Sequence, residues 1–214
     1  MIAKQLEKMT VEEVANSLTH GFGLILSVAG FLFLVSLAIV KGDGWHIAAS
    51  VVYGASLVIL YAASTIYHAT TSPELKHRLQ LIDHCCIYLL IAGSYTPFLM
   101  IVLGGSFGMG MLAFVWAFAL FGISMKVMFW GRFNLVGVAS YLIMGWIGVL
   151  AIQPLYSALG LEALVLVVAG GVSYSLGVIF FGWKSIKHHH AIFHVFVLAG
   201  SILHFAAISM YVLR

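Results

Sequence analysis

The chain has 214 residues, of which 63% are hydrophobic and 8% are Asp, Glu, Lys or Arg, with a formal net charge of +3. Soluble domains carry about a quarter charged residues, so a water-soluble globule of this size could not clothe its own surface. The positive charge is too small and too scattered to argue for nucleic acid, and no nucleic-acid partner is expected.

The apolar runs are long enough to cross a bilayer as helices, which takes about 20 residues. The expected fold is therefore all-α: a polytopic membrane helical bundle. Residues 1–19 read as a polar cytoplasmic or interfacial segment, and residues 20–214 as the transmembrane domain. Thr10 and Glu13 have the spacing of a capping box that opens an interfacial helix. No small-residue cleavage pattern follows the first apolar run, so that run reads as a retained span rather than a signal peptide. Seven transmembrane runs are predicted, at 20–40, 46–68, 80–103, 108–130, 134–153, 160–182 and 189–212. Their connections are marked by Gly42-Asp43-Gly44, Ser72-Pro73, Gly104-Gly105, Gly131 and Gly160. Pro97 and Pro154 are expected to kink or end the third and fifth runs. Cys85 and Cys86 are adjacent inside an apolar run, unsuited to an ordinary disulfide, and read as packed side chains.

Basic residues give the orientation. With seven spans, Lys4, Lys8, Lys76, Arg78, Lys126, Arg132, Lys184 and Lys187 fall on one side, and Lys41 and Arg214 on the other. Eight against two puts the first side, and the amino terminus, in the cytoplasm of a cell-membrane protein.

Polar groups are costly in lipid, so those that remain there point to function. The chain has ten histidines. His20, His68, His84, His190 and His194 all fall near the cytoplasmic boundary, with Asp83 beside them. His190 and His194 are four apart and share a helix face, and His68 could add a third imidazole from another helix. Three His and an open position is the usual form of a catalytic zinc site. Ser64 lies one turn from His68. Asp83, set within the third run, could orient a ligand or serve as the base for a water activated by the metal, or simply anchor helix packing. His84 reads as either a partner of the site or an interfacial residue, and His188 and His189 as solvated or headgroup contacts. His46 and His77 are expected in loops. His204 returns to the face of His190 and His194, about 15 Å deeper than His194, either lining a cavity for a lipid or bonding to a neighbouring helix. Ser94, Thr96, Ser173, Tyr174 and Ser175 read as helix-packing contacts.

Several segments together resemble the hemolysin III family, within the progestin and adipoQ receptor superfamily of seven-helix membrane proteins. They are Glu13 to Gly21 before the first span, Ser64-Thr65-Ile66-Tyr67-His68 in the second, Asp83 to Tyr88 and Ala92 to Pro97 in the third, and His190 to His194 with Val197 to Phe205 in the seventh. The resemblance covers nearly the whole chain. It implies zinc bound near the cytoplasmic face by His68, His190 and His194, with Ser64 and Asp83 close to the water that the zinc activates. It also implies hydrolysis of a lipid amide or ester bond, with a lipid substrate in the bundle interior and a contribution to membrane lipid homeostasis. Two other functions are weighed against this: a sensor of membrane state in which zinc is structural, and a pore-forming cytolysin. A closed four-ligand site would mark the sensor, and leaky vesicles the cytolysin.

Overall fold

The computed structural model describes residues 10–132 and 134–213. Lys4 and Lys8 of the charge count, the first nine residues of the amino-terminal segment, and Arg214 lie outside the described residues. The described chain is helical throughout, running as α1 (Val11–Lys41), α2 (Gly44–Ala69), α3 (Pro73–Pro97), α4 (Gly105–Met128), α5 (Asn134–Trp146), α6 (Ile152–Gly182) and α7 (His189–Ala207). The first helix is longer than its apolar run because a polar cap starts it early. The Thr10 hydroxyl accepts from the Glu13 N–H at 3.3 Å, and Glu12 and Glu13 occupy the first turn, where carboxylates complement the helix dipole. Asp43 starts α2 in a full capping box. That places His46 in the first helical turn rather than in a loop, and its hydrogen bond holds the exposed Asp43 carboxyl below the ordinary carboxylate range. His77 is likewise helical, in the second turn of α3.

Six of the described stretches are long and apolar enough to cross a membrane: Val11–Lys41, Gly44–Ala69, Pro73–Leu103, Gly105–Met128, Leu135–Gly182 and His189–Val212. Their outward faces carry large apolar side chains such as Ile25, Phe33, Val40, Phe121 and Leu150. In water such a surface would be untenable, and in a bilayer it contacts lipid tails. The chain is a multi-pass integral membrane protein.

The stretch Leu135–Gly182 holds both the fifth and sixth predicted runs. As one straight helix its 48 residues would extend about 72 Å, more than twice a hydrocarbon core of about 30 Å. It is not straight. Residues Ile147–Ala151 tighten to a 3-10 turn, and Gly160 adopts φ 81°, ψ −179°, a region open essentially to glycine alone. The Trp146 Nε1–H donates to Ser175 Oγ at 3.0 Å, a contact between residues that a straight helix would hold about 44 Å apart. The chain therefore doubles back between them. Pro154, expected to end the fifth run, instead sits in the first turn of α6, where its missing N–H leaves no helix hydrogen bond unmade. Pro97 ends α3 and is followed by a π-helical turn over Phe98–Leu103, in keeping with the distortion expected there.

One apolar core joins Leu34 and Ala38 of α1, Tyr53, Leu57 and Tyr61 of α2, Leu90 of α3 and Val197 of α7. A second packs Tyr88 and Ala92 of α3 on Val115 and Ala119 of α4, with Met144 of α5. Cys86 is buried in the first core, and both cysteines are free thiols. Polar side chains tie helices together deep in the bundle. Tyr61 donates to Ser201 Oγ at 2.9 Å, Tyr174 shares a hydrogen bond with the same hydroxyl at 2.9 Å, and Tyr53 donates to the Ser201 carbonyl at 3.3 Å. Ser173 donates to the Phe196 carbonyl, Thr96 accepts from Trp116 and Ser175 from Trp146, so these residues do act as interhelical contacts, each bond contributing on the order of 0.6 kcal/mol.

If the Gly160 turn is what lets the chain fold back, Gly160→Ala should cost roughly 1–3 kcal/mol, read as a lower melting temperature in detergent. Gly110→Ala, at a helical site with open space around it, should be neutral or slightly stabilising. Equal effects of the two would remove the special role of Gly160.

Candidate metal centre

His68 closes α2, and His190 and His194 open α7. The structure brings one nitrogen from each within 4.8 Å of the others. Their rings form a triangle with centroid separations of 4.9, 5.0 and 4.6 Å. Nitrogens around a tetrahedral zinc at about 2.1 Å stand about 3.4 Å apart, so modest side-chain rotation would close the set around an ion. The turn into α7 is tight. His188 takes a left-handed conformation, φ 58°, unusual for a residue with a side chain, and its carbonyl accepts the Ile192 N–H that starts the helix.

Hydrogen bonds decide which nitrogens face inward. The Glu13 carboxylate lies 2.6 Å from His68 Nδ1. An ionised carboxylate only accepts, so Nδ1 carries the proton, and in the neutral ring Nε2 keeps its lone pair. His68 Nε2 is buried with no hydrogen-bond partner, a donor atom lacking anything to bind. His194 follows the same logic. Its Nδ1–H donates to the Asn16 carbonyl at 3.2 Å and approaches Thr19 Oγ1 at 3.1 Å, which leaves Nε2 as the free base. A carboxylate or carbonyl behind a histidine is the usual support of a metal-bound imidazole. These residues fit a divalent metal, and zinc is consistent with their chemistry.

Asp83 and Ser64 are both brought to this place. Ser64 is one turn from His68 and buried. The buried Asp83 carboxyl lies beside it. His20, from α1, stacks on His194 with centroids 3.4 Å apart and planes at 15°. Both of its ring nitrogens are buried without partners. A neutral imidazole there offers one donor and one acceptor to whatever occupies the space. His84 lies outside the ligand set, against Trp130. His189 is partly buried, 3.7 Å from Glu12. His204 sits deeper, its Nε2–H donating to the Val167 carbonyl at 3.0 Å.

The three clustered histidines, His20, His84, Asp83 and Ser64 all border one cavity of about 730 Å³. Its lining extends from Thr10, Glu12 and Lys184 past the three histidines, Asp83 and Ser64, and past Leu90 and Phe98 to Val167 and His204. The lining as a whole is mainly apolar, as suits an amphiphile.

Glu13 is the residue of this cluster that reading the sequence assigned only to a helix cap. Its spacing from Thr10 suggests a reciprocal cap, and the structure makes only half of one. Its carboxylate goes to His68 and, at 3.0 Å, to Lys76, bridging α1, α2 and α3. The available signal is depth: Glu13 and His68 both belong at the same end of the bundle.

A profile for haemolysin-III related proteins matches residues 9–205. The chain belongs to the haemolysin-III family. It is 43% identical over 203 residues to a hemolysin-3 homolog of Bacillus subtilis (strain 168), covering 95% of each chain. It is also 43% identical over 213 residues to hemolysin-3 of Bacillus cereus, covering 97% of each. A more distant relative, the human monocyte to macrophage differentiation factor, is of the progestin and adipoQ receptor type. It is 31% identical over 211 residues, 95% of this chain and 85% of that one. The family expected from the motifs is thus the family found, and this haemolysin-III protein has its motif histidines gathered where a metal could be held.

If Glu13 fixes the tautomer of His68, Glu13→Ala should weaken divalent-metal binding by about 10–100-fold, measured by competition with a chelator. Glu13→Gln, which keeps an acceptor, should lose less. An unchanged affinity in Glu13→Ala would contradict this role.

Proposed function

We propose that this haemolysin-III protein is a zinc-dependent membrane hydrolase that cleaves an amide or ester bond of a lipid and so contributes to membrane lipid homeostasis. The observation that supports it is the meeting of three imidazoles, one carboxyl and one hydroxyl on a mainly apolar cavity. His68, His190 and His194 would hold the ion, and three protein ligands are the count of catalytic zinc sites, whereas structural sites use four. Bound zinc supplies a Lewis acid for the carbonyl and lowers the pKa of a water. Asp83 takes the proton from the attacking water and later returns it to the leaving group. Ser64, one turn from His68 and beside Asp83, donates to the oxyanion that develops at the carbonyl. The apolar walls hold the acyl chain and exclude bulk water from the reacting bond.

The same reading takes the chain to cross the membrane seven times, with residues 1–19 as a cytoplasmic or interfacial segment. Parity supports it. His68, Asp83 and His190 meet at one depth, and Trp130 after α4 donates to His77 at 3.0 Å on that same side. The chain from Gly131 to His189 must then cross an even number of times, which α5 and α6 accomplish by turning back at Gly160. The excess of Lys and Arg puts this side in the cytoplasm.

Asp83→Asn should abolish turnover of a lipid amide or ester in detergent or vesicles while leaving metal content at the wild-type level. Full activity in Asp83→Asn would make the proton-transfer role wrong.

A further inference from the structure

Lys126, near the end of α4, lines the same cavity but plays no part in the metal centre. A lysine at the cytoplasmic end of a transmembrane helix ordinarily extends its ammonium into water. This one is partly buried, folded against two aromatic rings. Its Nζ lies 5.4 Å from the Trp130 ring centroid and 5.7 Å from that of Tyr141. Gly137 makes the slot, since a Cβ there would lie 2.8 Å from Nζ. Among the described residues no carboxylate and no hydrogen-bond acceptor reaches the ammonium. Two aromatic faces offset part of the lost hydration, yet three N–H donors remain unmatched at the wall of a cavity.

A second observation lies next to it. The Nδ1 of His84 is buried without a partner, its ring packs 5.4 Å from Trp130, and Tyr141 donates to the His84 carbonyl at 2.9 Å. His84 has both Lys126 and His68 among its electrostatic neighbours and lines the same cavity as both. Glu13 and Asp83 are the acidic groups of that centre, whereas the side facing Lys126 has none among the described residues.

The geometry points to an anion-binding subsite at the cavity wall, built by Lys126 in its Trp130–Tyr141 cage with His84 beside it. It would take the phosphate or carboxylate group of an amphiphile whose apolar part fills the cavity. The inference rests on reading the cavity as a lipid site, but on neither the metal nor hydrolysis. Lys126 supplies the charge, since an ammonium with unmatched donors gains most from an ionised oxygen. The cage sets its place, and Gly137 leaves it room.

The test uses the full chain in phosphatidylcholine nanodiscs, titrated with dodecyl phosphate, with dodecanol and with inorganic phosphate. Wild type should bind dodecyl phosphate at least tenfold more tightly than dodecanol. Lys126→Gln should lose that preference while keeping dodecanol binding and metal content, and Lys126→Arg should retain much of it. Inorganic phosphate that competes at the concentrations of dodecyl phosphate would support the site with a free anion as occupant. Its failure to compete would assign the site to a lipid headgroup. Equal binding of the two amphiphiles, indifferent to Lys126, would overturn the anion subsite and leave the cavity reading standing. Binding of neither would overturn both.

Discussion

The 2.6 Å contact between Glu13 and His68 organises the end of the bundle where α1 starts and α2 ends. A histidine buried at a membrane boundary has two nitrogens to satisfy, and the carboxylate satisfies one by accepting the Nδ1 proton. The other is thereby fixed as a lone pair, directed at two histidines from a helix more than a hundred residues further on. Because Glu13 also holds Lys76, the same carboxylate ties the starts of α1 and α3 to the end of α2. Asn16, three residues after Glu13, does the equivalent for His194 through its carbonyl. The first turns of α1 therefore orient the ligand set without contributing to it. Buried imidazoles with free lone pairs are poor building material for stability alone, and a divalent ion gives that arrangement a physical reason.

Much of the fold is legible in the sequence because a bilayer allows few solutions. A chain with so little charge must bury its backbone polar groups in helices, and runs of about 20 apolar residues say where. The i,i+4 spacing of His190 and His194 is enough by itself to put both on one helix face. His68 and Asp83 follow from depth alone, since topology puts the end of the second helix and the starts of the third and seventh at one level.

What the sequence hides depends on side-chain direction and on contacts distant along the chain. Glu13 is visible as a cap, but nothing local says that its carboxylate turns 55 residues away to His68 instead of back to Thr10. His46 and His77 look like loop residues because polarity marks helix ends poorly when caps such as Asp43 and Ser72-Pro73 start helices early. Gly160 looks like an ordinary connection. Its positive φ carries the reversal that separates two helices within one apolar stretch. Lys126 counts only as a cytoplasmic charge, since the rings that enclose it come from a turn and from another helix.

The central claim is that His68, His190 and His194 hold a metal ion. Metal content of the detergent-purified protein, measured beside a His190→Ala, His194→Ala double variant, tests it most directly. The account predicts about one zinc per chain in the wild type and its loss in the variant. A wild-type protein that carries no metal and takes up none when zinc is added would contradict it, leaving the histidines as packing residues.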